Sequence, residues 1–279
     1  AVVSGLSSTQ VGALTSAQIT ALTTAQAAAL TSTQAQGITT SQAAGLESGD
    51  LNKLTTDAFA AIAPAVAAKL SSTQVGALTS DQVSALTTAQ AGALTSVQTA
   101  GVTTSQTAAL ETADLAALTT GAFAALTPSA VATLSAAQVG ALTSDQVTAL
   151  TTAQAAALTS TQAGGITTAQ TAALESGDLN KLSTSAFEAL ATDVVAGLSA
   201  GQVGALTSGQ ITALTTAQAA ALGATQAGGI TTSQTAALES GDLNKLSTTA
   251  FAALNTSVVA GMSSTQVGAL TTDQVKALT

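Results

Sequence analysis

Paired carboxylates are the side chains in this sequence whose type and spacing could support ion binding or acid–base chemistry. In the octad LESGDLNK, a Glu and an Asp lie three residues apart. Stacked copies could bind calcium, but this cation needs six to eight oxygens and the pairs lack the spacing of an ion-binding loop. We favour a simpler interpretation, in which the acids begin a helix whose dipole suits negative charge. The candidate calcium ligands are Glu47, Asp50, Glu175, Asp178, Glu239 and Asp242, and a variant copy carries Glu111 and Asp114.

The composition argues against most other biochemical activities. The chain has no His and no Cys, so the commonest general base and the thiolate nucleophile are missing. We expect no catalytic residues and no cofactor, and therefore no enzyme. Five basic residues, all Lys, and a net charge of -9 oppose binding to nucleic acid. The longest apolar run, residues 58–68, is well short of the roughly 20 residues that span a membrane.

An eight-residue repeat occupies the whole chain. Every eighth residue from Leu6 to Leu278 is aliphatic, and the unit reads L-[ST]-[ST]-x-Q-x-x-[AG]. Gln holds the fifth position in 22 octads. Such regularity indicates a repeat architecture in which each unit packs on its neighbours.

A second, longer period of 64 residues is superimposed on the eight-residue repeat. Successive Phe residues are spaced by this interval, at Phe59, Phe123, Phe187 and Phe251. We expect one continuous array over residues 1–279, with super-repeats at 6–69, 70–133, 134–197 and 198–261 and a partial one at 262–279. Both ends fall inside an octad and neither has a divergent cap, so we expect the array to continue in a longer chain.

The octad itself predicts a short helix. With Ser or Thr at the N-cap, Gln falls at N3 and completes a capping box, while the flanking aliphatic residues form a hydrophobic staple. Pro64 and Pro128 fall at N1, and Gly at the eighth position fits a helix end. The predicted fold is all-α, a solenoid or superhelix of helices of about six residues, one per octad. A β-solenoid is the alternative, disfavoured because Ala is abundant.

Phe and Gln are two further residue types that could form sites. The four Phe occupy the staple position of the seventh octad, so we expect them in the core. Capping explains the Gln column, although stacked carboxamides could also form hydrogen bonds between neighbours. A Thr-rich surface could bind ice or carbohydrate, but we expect the hydroxyls to be committed to helix caps.

Strings such as Leu142-Thr-Ser-Asp-Gln-Val-Thr-Ala-Leu150 resemble the LTxxQxxAL repeats of very long Ala/Thr-rich proteins of Gram-negative bacteria, which are often regarded as secreted or surface adhesins. The resemblance covers the whole chain and implies export, through a signal outside these residues, and a fibrous or spacer role. The string is also similar to the opening of a TAL effector repeat. The eight-residue unit, the acidic balance and the absence of Arg depart from that pattern, so DNA binding is not carried over.

These observations favour a structural protein, a stalk, fibre or filament that self-associates at the bacterial cell surface or in the extracellular matrix. The alternative is a binding module that holds a glycan, calcium or a protein partner on one face of the solenoid. Octads six to eight of each super-repeat break the pattern, and we call them the seam: residues 46–69, 110–133, 174–197 and 238–261. We expect the seam to mark a superhelical turn or an inter-strand contact.

Overall fold

The computed structural model describes residues 3–278, apart from the side chain of Ser4, and every regular element in this range is a helix. The all-α prediction of one short helix per octad is therefore confirmed, and the β-solenoid alternative is wrong. The chain divides into two compact units, Ala1–Leu134 and Ser135–Thr279. Each unit is described by itself, and the single array with its super-repeat boundaries stays a prediction.

The first unit contains fifteen α-helices and two 3-10 helices within its described residues. The α-helices are α1 (Ser8–Gly12), α2 (Ser16–Thr20), α3 (Thr24–Ala28), α4 (Ser32–Ala35), α5 (Ser48–Leu51), α6 (Thr56–Ala60), α7 (Pro64–Ala67), α8 (Ser72–Gly76), α9 (Ser80–Ser84), α10 (Thr88–Ala93), α11 (Ser96–Thr99), α12 (Thr104–Ala109), α13 (Thr112–Ala117), α14 (Thr120–Ala124) and α15 (Pro128–Val131). The 3-10 helices are Val3–Gly5 and Ala43–Gly45.

The second unit repeats this pattern, with sixteen α-helices and two 3-10 helices in its described part. The α-helices are α16 (Ala136–Gly140), α17 (Ser144–Thr148), α18 (Thr152–Ala157), α19 (Ser160–Ala163), α20 (Ser176–Leu179), α21 (Thr184–Glu188), α22 (Thr192–Ala196), α23 (Ala200–Gly204), α24 (Ser208–Thr212), α25 (Thr216–Ala221), α26 (Ala224–Gly228), α27 (Ser240–Leu243), α28 (Thr248–Ala252), α29 (Thr256–Ala260), α30 (Ser264–Gly268) and α31 (Thr272–Lys276). The 3-10 helices are Thr168–Ala173 and Thr232–Ala237.

Capping boxes begin most of these helices, as the sequence predicts. At the start of α9, the backbone N–H of Thr79 donates to Gln82 Oε1 over 3.0 Å, and the N–H of Gln82 donates to Thr79 Oγ1 over 3.1 Å. Two of the orphan donors at the helix start are thereby satisfied inside the octad. Pro64 and Pro128 each occupy N1 of their helix, where no N–H is needed.

Each helix packs against helices three octads away along the chain. Helix α10, for example, packs on α7 and on α13. The first, fifth and sixth positions of the octad face the core, whereas the second to fourth positions are mostly exposed. Helices of four to six residues are too short to be stable alone, so this stacking supplies their stability.

Gly at the eighth position lies at helix ends, as the sequence predicts, and these ends are right-handed. No described residue has a positive φ, and the C-cap residues Gly197, Gly229 and Gly261 are all right-handed. Gly at the eighth position also serves packing. A Cβ at Gly101 would lie 2.7 Å from the backbone oxygen of Ser72, so the two backbone segments can approach only because the side chain is absent.

Candidate functional site

The Gln column lies inside the protein. Along the middle of each unit the Gln side chains are nearly fully buried, for example Gln82 at 1% exposure. A buried carboxamide must find partners for its oxygen and for both amide hydrogens. Capping accounts for the oxygen alone, so the prediction that capping explains the Gln column is incomplete.

Gln106 illustrates how the amide is satisfied. Its Nε2 donates to the backbone oxygens of Val75 and Leu78, each over 2.8 Å. Val75 lies near the end of α8, and Leu78 immediately precedes the N-cap of α9. One side chain therefore caps its own helix and also ties together the two ends of a turn between earlier helices. We call this arrangement the glutamine clamp.

The clamp recurs with constant sequence separations of 31 and 28 residues between the Gln and its two carbonyl partners. These separations, together with helix packing at three octads, place each turn of the solenoid between three and four octads. The Gln residues that bond to both carbonyls in this way include Gln34, Gln42, Gln74, Gln82, Gln90, Gln98 and Gln106 in the first unit and Gln170, Gln202, Gln210, Gln234, Gln266 and Gln274 in the second.

The clamp explains why the helix ends need no left-handed cap. The carbonyl of Val75 accepts one hydrogen bond from the N–H of Leu78, over 3.1 Å, and a second from the clamp. Sequence analysis missed the clamp although one signal was present. A capping box accepts Glu as readily as Gln, yet no octad has Glu at its fifth position. Every complete capping box among the described helices has Gln at N3, which indicates a need for the two donors of its amide.

The seam begins where the clamp is interrupted. In its first octad Asp replaces Gln at N3, and the four Asp side chains are only 2–6% exposed. Glu precedes each Asp at the N-cap position but makes no side-chain capping bond, so its carboxylate does not replace the Ser or Thr hydroxyl of the other octads. These Glu residues are exposed. We call the buried residues the seam aspartates: Asp50, Asp114, Asp178 and Asp242.

The second and third seam octads are apolar at the clamp position. The second places Phe at the staple position, as predicted, and Phe59, Phe123, Phe187 and Phe251 are at most 1% exposed. Their local geometry recurs in every super-repeat, with Phe on α6, α14, α21 and α28. The seam therefore has a repeated internal structure. Whether it marks a superhelical turn or an inter-strand contact stays a prediction.

The candidate calcium ligands lie in two different surroundings. Each Asp of the pairs is buried and each Glu is exposed, so the two carboxylates differ in their surroundings. Among the described residues, no group of three or more His, Cys, Asp or Glu side chains could hold a metal ion. The acids are better understood as part of the helix starts.

Comparison with known families recognises the same repeat. Three segments, residues 107–152, 171–208 and 251–279, match the ALTTAQ repeat family. The chain is thus a repeat array built from Ala/Thr-rich units. No curated protein matches it. The ALTTAQ segments include clamp residues such as Gln202 and seam aspartates such as Asp178, so the family match spans both parts of the super-repeat.

Within residues 3–278, none of the helices combines the length and the apolar character that a membrane span requires.

Proposed function

We propose that the chain is a structural repeat protein, an extended solenoid that serves as a stalk, fibre or filament at the bacterial cell surface or in the extracellular matrix. The glutamine clamp is the observation that supports this proposal most directly. Each clamp joins three octads through a fully paired buried carboxamide, for example Gln106 with the backbone of Val75 and Leu78. Repetition of this bond cross-links the stack at many octads along each unit, which suits a spacer.

Self-association fits the exposed face of the octads. The outward second to fourth positions carry mainly hydroxyl and methyl groups, and only 7% of the chain is charged. A surface with so little charge opposes lateral packing weakly, whereas strong net charge keeps proteins apart. We propose neither a catalytic role nor a nucleic-acid partner, in keeping with the missing His and Cys and the net charge of -9.

Electron microscopy tests the structural role. Whole cells and shed material are immunolabelled with an antibody against the 64-residue super-repeat, and cells without the gene provide the control. Labelled extracellular filaments with a regular axial repeat are the expected result. Label confined to the cytoplasm, or to isolated particles, would overturn the filament proposal.

A recurring groove supports a binding module as the second candidate. In the first unit it measures about 400 Å³ and is lined by Glu47, Ser48, Ser71 and Thr73. The second unit has the equivalent groove three super-repeats later, about 590 Å³ in volume. Its corresponding lining residues are Glu239, Ser240, Ser263 and Thr265. A groove with a carboxylate and several hydroxyls offers hydrogen bonds to a glycan.

Calorimetric titration with soluble cell-wall glycan fragments tests this second candidate. We expect the double variant Thr73→Val and Thr265→Val to lose binding, because it removes hydroxyls that do not cap a helix. Thr161→Val, at the same octad position outside the groove, serves as the matched control. Equal binding by both variants would place any glycan elsewhere.

A further inference from the structure

The seam aspartates occupy the position that the clamp uses elsewhere. Within its unit, each lies at N3 of a short helix, as Gln does in most octads, and each is buried: Asp50 at 6%, Asp114 at 2%, Asp178 at 4% and Asp242 at 5% exposure. A clamp Gln at this position presents two N–H donors to backbone carbonyls. An ionised carboxylate presents acceptors alone, so it cannot donate to a backbone carbonyl as the clamp Gln does.

Two of these carboxyls hold an oxygen that lacks a partner. Asp114 Oδ2 and Asp178 Oδ2 are buried without a hydrogen bond. A buried acceptor that stays unpaired is costly, and a buried charge without a partner is costlier still. Protonation converts one carboxyl oxygen into a donor and removes the charge, so the neutral acid resembles the Gln amide that it replaces.

No cation offsets the charge from the helices that pack against the seam aspartates. Helix α5 packs on α3 and α8, and α20 packs on α18 and α23, and none of these neighbours contains a charged residue. Helix α10, which packs on α13, contains no charged residue either. Helices α25 and α30, which pack on α27, also contain none.

The charged side chains within the seam octads do not compensate either. The Glu at each N-cap adds a like charge. A Lys follows Asp50, Asp178 and Asp242 three residues later and is exposed. Lys69, which lines the groove beside Glu47 and Ser48, is exposed as well. Among described residues the one ion pair joins Lys276 and Asp273, 3.7 Å apart.

From this geometry we propose that the four seam aspartates form pH-sensitive joints, which hold protons in the tightly stacked array and loosen it at one octad in eight when they ionise. The pKa shifts of these carboxyls are in the direction that the proposal requires. Burial raises the pKa of Asp50, Asp178 and Asp242 above the ordinary value of 3.8, and the preceding Glu raises it further. Burial also raises the pKa of Asp114, a hydrogen bond with the Thr88 side chain lowers it in part, and Glu111 adds to the rise.

The sign of the effect follows from proton linkage. A group whose pKa is higher in the folded than in the unfolded chain binds its proton more tightly when folded. The stabilisation is complete below the unfolded pKa and is lost as the pH rises through the folded pKa. Each joint then lowers the folding equilibrium constant by up to about tenfold per pH unit within that window.

Unfolding of the whole chain across pH tests the proposal. The thermal midpoint of the wild type is compared with that of the quadruple variant Asp50→Asn, Asp114→Asn, Asp178→Asn and Asp242→Asn, between about pH 3 and about pH 8. Asn is neutral throughout and retains a donor. We expect the wild-type midpoint to fall on raising the pH above the ordinary Asp range, and the variant midpoint to change much less.

A matched control uses exposed aspartates. Asp81→Asn and Asp145→Asn alter residues that are exposed at the fourth octad position, and this variant should keep the wild-type pH profile. Carbon NMR titration of the wild-type carboxyls provides a second measurement that does not depend on folding of a variant. Parallel pH profiles for wild type and quadruple variant, or ordinary titration of all buried carboxyls, would overturn the proposal.

Discussion

A single amide group decides how one octad holds another. Glu and Gln fit the N3 position of a capping box equally well, because both have an oxygen that accepts from the N-cap N–H. Only Gln also has two hydrogens for the carbonyls that flank an earlier turn. A Gln→Glu substitution therefore separates the contribution of local capping from that of the long-range clamp.

Gln106→Glu should destabilise the protein by about 3 kcal/mol, because it keeps the capping oxygen but buries a carboxylate against two carbonyls. Urea unfolding followed by circular dichroism measures the change. Gln10→Glu is the matched control, since Gln10 is exposed and the hydrogen bonds described for it are those of its own capping box. Equal losses in the two variants would show that the clamp contributes nothing beyond capping.

Glycine provides the second test at this scale. Gly101→Ala places a Cβ 2.7 Å from the Ser72 carbonyl oxygen and should cost about 1–3 kcal/mol through forced backbone shifts. Gly177→Ala meets no atom within 4 Å and lies inside α20, so it should stabilise by about 0.5–1 kcal/mol. Thermal melts of both variants report the difference. The idea of a required close approach fails if Gly101→Ala melts at or above the wild-type temperature.

Helix starts define the next scale, and here the repeats supply their own comparison. Helix α7 begins after Ala63, which has no side-chain cap, whereas the equivalent α15 begins after Thr127, whose hydroxyl accepts from the N–H of Ala130 over 3.1 Å. Both helices carry Pro at N1. The two octads therefore differ at the cap within an otherwise similar start.

Ala63→Thr should stabilise the chain by about 1 kcal/mol, and Thr127→Ala should destabilise it by a similar amount. Differential scanning calorimetry of both variants measures the two changes. Ala65→Thr, an exposed substitution two residues beyond the cap, controls for the general effect of adding a hydroxyl. A gain from Ala65→Thr equal to that from Ala63→Thr would contradict the capping explanation.

Features that are determined within one octad could be predicted from the sequence, whereas contacts between distant octads could not. Helix starts, Pro at N1 and buried Phe were predictable because each depends on residues within one octad. The clamp and the close approach at Gly101 join segments more than 24 residues apart, and local patterns carry no direct information on such partners. Burial of the seam aspartates was hidden for the same reason, since the groups that surround Asp178 come from helices α18 and α23.

At the scale of the whole molecule, the two periods make a prediction about length. Every clamp depends on octad register, and the seam and the Gly contacts depend on the 64-residue register. Repeat arrays are stabilised mainly by contacts between near neighbours, so removal of a complete period leaves each contact with an equivalent partner.

Deletion of residues 70–133 should therefore leave a folded helical array with a similar melting temperature. Deletion of residues 70–129 removes nearly as much chain but shifts the octad register by half a repeat, and we expect it to lose most of its cooperative transition. Far-UV circular dichroism and thermal melts distinguish the two. Similar melts for both deletions would mean that register is unimportant.

The glutamine clamp should also limit the effect of proteolytic cleavage within a turn. Gln106 holds both sides of the turn between α8 and α9, since Val75 precedes the turn and Leu78 ends it. A protease that hydrolysed the intervening peptide bond would leave two new termini, each still bonded to the same side chain from a later turn. Damage at one such linker would remain local, and the severed ends would stay in place.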